Sequence, residues 1–145
     1  MQKITPFLWF NDQAEQAARF YVSVFPDSQL LSVDSQSARF RLAGQEYIAF
    51  NGGPYFTLTP AISLFVDCVD QAEVDDLWER LSEGGEKSQC GWVKDRWGLS
   101  WQVIPSVLGK WMSDPDPVKA KRVTEAMMQM GKINIIELER AHRGN

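Results

Sequence analysis

The tetrapeptide DQAE occurs twice, at residues 12–15 and 70–73, and each copy follows a short apolar run and opens a helical pattern. One copy alone reads as a capping box, in which Asp12 or Asp70 accepts from the backbone three residues on and Glu15 or Glu73 reaches back. Two copies constrain more, because the surrounding pattern repeats with them. Shifted by 58 residues, strand falls on strand and helix on helix, with Phe7 on Phe65 and Leu8 on Val66. The repeat predicts two consecutive modules of the same strand–helix–strand–strand–strand order.

Each module can be read element by element. ITPFLWF (4–10) is β-rich and ends at polar ND. From Ala14, apolar residues recur at 14, 17, 18, 21, 24 and 25, one stripe of a helix that Pro26 ends. QLLSVDS, ARFRLAG and EYIAFNGG follow as three short strands parted by turns. GGPYFTLTP (52–60), with two glycines and two prolines, is the joint. The order then restarts. AISLFVDCV (61–69) is a strand, and Val74, Leu77, Trp78 and Leu81 form the next helical stripe, which EGGE stops. SQCGWVKD and LSWQVIP are strands joined by RWG.

The tail breaks the repeat. SVLGKWMSDPDP is a loop or short helix. Pro117 suits a first helical turn, with Val118, Val123, Ala126, Met127 and Met130 on one face and Gly131 as the stop. Asn134 with Glu137 can cap a last helix through Leu138 and Ala141. Met127, Met128 and Met130 are read as packing rather than as a promiscuous binding stripe.

Charge and composition exclude several function classes. Fifteen Lys and Arg against nineteen Asp and Glu give −4, which argues against nucleic acid or an anionic membrane surface as partner. The densest basic stretch, Lys119, Lys121 and Arg122, reads as a solvated helix face. No apolar run approaches the ~20 residues of a membrane helix, and the first apolar stretch is too short for a signal-peptide core. A cytoplasmic location is therefore expected. Cys68 and Cys90 form neither a CxxC nor a zinc pattern and are read as structural thiols.

Paired modules of this order resemble the vicinal oxygen chelate superfamily of glyoxalases, extradiol dioxygenases and bleomycin-resistance proteins. ITPFLWFNDQAEQAARFYVSVFPDS, FNGGPYF, AISLFVDC and CGWVKDRWGLSWQVIP look like its PhnB-like branch, often labelled 3-demethylubiquinone-9 3-methyltransferase, and the tail RVTEAMMQMGKINIIELERAH is similar to it as well. The resemblance implies an α+β fold in which two βαβββ modules form a curled mixed sheet, with C-terminal helices, a ligand cavity on the concave face and a homodimer. It implies one glyoxalase-like domain over 1–145, with module one at about 1–53, a linker at about 54–60, module two at about 61–106 and a helical tail at about 107–145.

The superfamily's metal ligands do not carry over. The matching first-strand positions are Thr5 and Ser63, and the last-strand positions fall near Ala49 and at Gln102. Firm divalent binding needs imidazole, thiolate or carboxylate, so no metal and no cofactor are expected. The lone histidine, His142, reads as a solvated tail residue. The methyltransferase label finds no glycine-rich nucleotide turn, since NGGP runs into Pro54 and EGGE ends a helix. Asp67, Asp95 and Glu46 are read as turn and surface carboxylates rather than as an acid–base set. Aromatic content stands out, with Trp9, Phe10, Tyr47, Phe50, Tyr55, Phe56, Trp92, Trp97 and Trp101 on or beside strands. Alternation sends Gln102 to the cavity and Trp101 to the packing side. The expected cavity comprises Thr5, Phe7, Trp9, Phe50, Asn51, Ser63, Phe65 and Gln102, and suits a small apolar or planar ligand. A small-molecule enzyme of the superfamily and a protein-interaction module are the alternatives.

Overall fold

The computed structural model describes residues 2–145. The chain divides into two compact units, one ending at Thr59 and the other beginning at Pro60. The first contains β1 (Phe7–Phe10), α1 (Ala14–Val24), β2 (Gln29–Val33), β3 (Ser37–Leu42) and β4 (Gln45–Asn51), in a four-stranded sheet of order β1-β4-β3-β2. The second contains β5 (Ser63–Cys68), α2 (Gln71–Ser82), β6 (Glu86–Lys87), β7 (Trp92–Lys94) and β8 (Ser100–Pro105), in a sheet of order β5-β8-β7-β6. In both sheets the first strand pairs parallel with the last and the remaining pairs are antiparallel. The repeated order is thus a repeated topology: two βαβββ modules in an α+β fold. The tail adds α3 (Ser106–Met112), α4 (Pro117–Met128) and α5 (Ile135–Arg143) to the second unit. Among the described residues, no helix is long and apolar enough to cross a membrane.

Each module buries one face of its sheet under its helix. In α1 the buried stripe is Ala14, Ala17, Ala18, Tyr21 and Val24, and the small alanines let the helix lie close over Ala38, Phe40 and Ala49. In α2 it is Val74, Leu77, Trp78 and Leu81, over Val93, Trp101 and Val103. Each fully buried large side chain contributes about 1.5–3 kcal/mol of transfer free energy. The tail packs as its own cluster of Ile104, Leu108, Val123, Ile133 and Leu138, with Met127 and Met130 against it. Val118 leaves the expected apolar face and is 58% exposed, because the first turn of α4 extends past that cluster.

The two DQAE segments start their helices differently. Asp70 accepts from the Glu73 amide at 2.9 Å, and the Glu73 carboxylate accepts from Val69 N at 2.8 Å. Asp12 does not cap α1. The amide of Ala14 donates instead to Asn51 Oδ1 at 2.7 Å, and Glu15 pairs with Arg19 one turn on. At the tail, Asp116 caps α4 through Val118 N, and Asn134 caps α5 through Glu137 N.

Three further expectations are corrected. SQCGWVKD is a strand only over Trp92–Lys94, because the preceding backbone serves another purpose: Cys90 N and Gly91 N donate to Met130 O and Gly131 O, both at 2.8 Å, tying the loop to the tail. Cys90 adopts φ 57° there, a left-handed conformation that costs a non-glycine residue roughly 1–2 kcal/mol. His142 is not solvated. Its Nε2 lies 2.7 Å from Asp114 Oδ2, and its ring stacks on Trp111 at 5.3 Å. Arg122 is likewise engaged, donating to the carbonyls of Ala141 and His142 at the end of α5.

Candidate functional site

The face of the second sheet turned away from α2 carries a concavity. Alternation puts Ser63, Phe65 and Asp67 of β5 on that face, with Ser100, Gln102 and Ile104 of β8 and Trp92 and Lys94 of β7 beside them. The opposite face holds Trp101 and Val103, buried against α2. A cleft of about 290 Å³ opens over Phe65, Trp92, Gln102 and Ile104. Helices α3 and α4 form its far wall through Leu108, Gly109, Met112 and Met127, and Cys90 stands at its edge.

Gln102 and Ser63 meet directly, Gln102 Nε2 lying 3.0 Å from Ser63 Oγ. The pair is neutral, and Gln102, which lines the cleft, retains hydrogen-bonding capacity of its own. Among the described residues, no carboxylate or imidazole lines the cleft. The lining is aromatic, aliphatic and sulfur-bearing, a surface that suits planar apolar matter through stacking and sulfur–aromatic contacts.

The residues singled out in the sequence sort into groups. Ser63, Phe65 and Gln102 come together in the second unit. Phe7, Trp9 and Phe50 come together in the first, with ring centroids 5.2 Å apart for Phe7–Phe50 and 5.4 Å for Trp9–Phe50, and Phe56 packs on Trp9 at 4.9 Å. Trp9 Nε1 donates to Gly53 O at 3.0 Å. Thr5 lies two residues before β1 rather than on it. Asn51 is used at the α1 N-terminus, as described above. The last-strand position of module one is Ile48 rather than Ala49: Phe7 pairs with Ile48 as Phe65 pairs with Gln102. Ala49 is fully buried under α1.

The carboxylates do not form an acid–base set. Asp95 is 2% exposed rather than a surface group, and its oxygens accept from Trp97 N, Leu99 N and Trp101 Nε1. Asp67 accepts from Ser106 Oγ at 2.7 Å, and Glu46 sits 4.0 Å from Arg41 in the other unit. Burial, with Glu73 adding to it, pushes the Cys68 thiol up to about 12, so it is not a nucleophile near neutral pH. Among the described residues, no three His, Cys, Asp or Glu side chains cluster as a metal site would require.

What sequence reasoning missed is the contribution of the tail to the cleft wall. The signal was the methionine stripe. Met130 does pack as expected, but Met127 both packs and faces the cleft, and Met128 is exposed.

Comparison with known proteins then places the chain. The family model described as 3-demethylubiquinone-9 3-methyltransferase matches residues 2–104. The chain belongs to that family. A PhnB protein from Bacillus cereus with the same methyltransferase description is 33% identical, over 72% of this chain and 99% of its own, at a TM-score of 0.67. Protein PA1353 from Pseudomonas aeruginosa is 21% identical over 72% of this chain and 98% of its own, with a TM-score of 0.60. A glyoxalase-related enzyme from Fulvimarina pelagi is 12% identical over 74% of this chain and 91% of its own, with a TM-score of 0.51. The last two likenesses establish the fold alone. No curated protein matches the chain. The PhnB-like family is thus the chain's own, and the chain shares its fold with the glyoxalase-related structure. The family match ends at residue 104, so the helices that wall the cleft lie beyond it.

Proposed function

We propose that this PhnB-like protein is a metal-independent binding protein for a small apolar or planar molecule, held over β7 and β8 in the second unit. The observation that carries the reading is the cleft itself, an aromatic and thioether lining around the neutral Gln102, whose amide donates to Ser63. A glutamate at position 102 would call for a cation or a proton, whereas the amide donates and accepts without either. The donor set supports metal independence, since Ser63 and Gln102 are poor ligands for a firmly held divalent ion. The methyltransferase description of the family receives no support from this chain, because the strand order lacks the alternating βα units of a nucleotide-binding sheet.

In this reading the chain is one glyoxalase-like domain, and Thr5, Phe7, Trp9 and Phe50 are ligand-binding residues of the first unit. The protein is a homodimer. Phe7 at 56% and Phe65 at 60% exposure, on sheet faces that no helix of their own module covers, support an assembly that removes them from water. The reading also places the protein in the cytoplasm.

The test is calorimetric titration with 2-naphthamide, a neutral planar probe. Wild type is expected to bind it at submillimolar concentration. Gln102→Glu is expected to weaken binding by about tenfold, because the new carboxylate must be desolvated or protonated beside the probe. No binding at millimolar probe, or about one equivalent of tightly held Zn, Ni, Fe or Mn in protein purified without chelator, would overturn the reading.

A further inference from the structure

On the face of the second sheet turned away from α2, a cation stands in one end row and an anion in the other, and this bears on what kind of molecule enters the cleft. The cross-strand register arranges the face in rows. The central row is Phe65, Gln102 and Trp92, the floor of the cleft. One row toward the start of β8 stand Ser63, Ser100 and Lys94. One row in the other direction stand Asp67 and Ile104. Rows two residues apart along a strand are separated by roughly 7 Å, a distance that a lysine side chain spans.

Lys94 is half-buried and forms no ion pair among the described residues. Its cross-strand neighbour on β6, Glu86, is exposed and does not come within ion-pair distance. Lys87, the other cation of that ribbon, is 2.8 Å from Glu79 and faces the helix side. Lys94 is therefore an uncommitted cation one row from the floor of the cleft, with the buried Ser100 beside it and Ser63 beyond. Asp67 marks the opposite end, where its carboxylate accepts from Ser106 Oγ. An elongated ligand with one anionic end is favoured in one orientation only, with the anion toward Lys94 and the body against Met112 and Met127.

We propose that the ligand is an aromatic or similarly apolar carboxylate, its ring system in the cleft of Phe65, Trp92, Met112 and Met127 and its carboxylate at Lys94 and the Ser63 hydroxyl. The proposal rests on the cleft being a binding site, and adds the charge of the ligand and its direction. A lysine one row from the floor steers an anion inward and contributes a charge-assisted hydrogen bond on arrival. Gln102 lies between the two ends, donating to Ser63 at the anionic end, and its amide accommodates either oxygen or nitrogen on the ligand's flank.

The experiment compares 2-naphthoate with 2-naphthamide, which share one ring system and differ in charge, by calorimetric titration at fixed low salt. Wild type is expected to bind the naphthoate about tenfold more tightly. Lys94→Met should abolish that preference, and Lys94→Arg should retain most of it. Melting temperatures of both variants check that they fold, and Lys94→Gln replaces Lys94→Met should the latter fail. Equal affinity for the two probes in wild type, or a preference that survives Lys94→Met, overturns the proposal while the cleft remains a binding site for neutral molecules. Failure of both probes to bind removes the cleft reading and this inference with it.

Discussion

Asp95→Ala is expected to be the most damaging single polar substitution in the second unit. Asp95 precedes the turn between β7 and β8, the two strands that carry Trp92 and Gln102. Its Oδ1 accepts from Trp97 N at 2.9 Å and Leu99 N at 3.0 Å, and its Oδ2 accepts from Trp101 Nε1 at 2.9 Å. Leu99 is 1% exposed and Trp101 2%, so water cannot take over when the carboxylate is removed. Each buried donor left without an acceptor costs about 1–3 kcal/mol. Two such donors give about 2–6 kcal/mol, and the less buried Trp97 amide adds little because it can be hydrated. Urea unfolding of Asp95→Ala, Trp101→Phe and the double variant measures this as a shift of the midpoint at unchanged slope. Trp101→Phe removes one of the stranded donors, so the double variant should be less destabilised than the sum of the singles by about 1–3 kcal/mol. A cost for Asp95→Ala below about 1 kcal/mol, or strict additivity in the cycle, would refute the claim that this carboxylate organises the turn.

Two other outcomes follow from the same physics. The hydrogen bond from His142, with the amide of Asp116 next, holds the Asp114 carboxyl below its ordinary value of 3.8. A lowered folded-state value means that its contribution is fully present above about that pH and is lost as pH falls through the lowered value. Asp114→Asn should therefore destabilise the protein near neutrality and converge with wild type in strong acid, as followed by urea titrations at several pH values; a pH-independent difference would contradict the pairing. Sedimentation at micromolar loading is expected to show a dimer, and a concentration-independent monomer would remove the homodimer from the proposed function.

Much of this protein is legible in its sequence because the information is local. The 3.6-residue stripes of Ala14–Val24 and Val74–Leu81, the Asp70–Glu73 and Asn134–Glu137 caps and the alternation of Trp101 and Gln102 each depend on residues a few positions apart. The doubled order of elements depends only on comparing one stretch with another. Ser63 and Gln102 are singled out by the resemblance to the superfamily, counted from the repeated DQAE, and not by residue identity. Tertiary structure decided what depends on groups far apart in the chain. Asn51, 37 residues from Ala14, displaced Asp12 as the cap of α1. Asp114, 28 residues from His142, took up a histidine that local context left in solvent. The floor of the cleft comes from β5, β7 and β8, but its wall comes from α3 and α4, and Met127 reads as plain packing until the fold brings it opposite Phe65. Periodicity specifies which face of an element is apolar. It carries no term for which distant element arrives to cover that face, and a cleft is the part of the face that none covers completely.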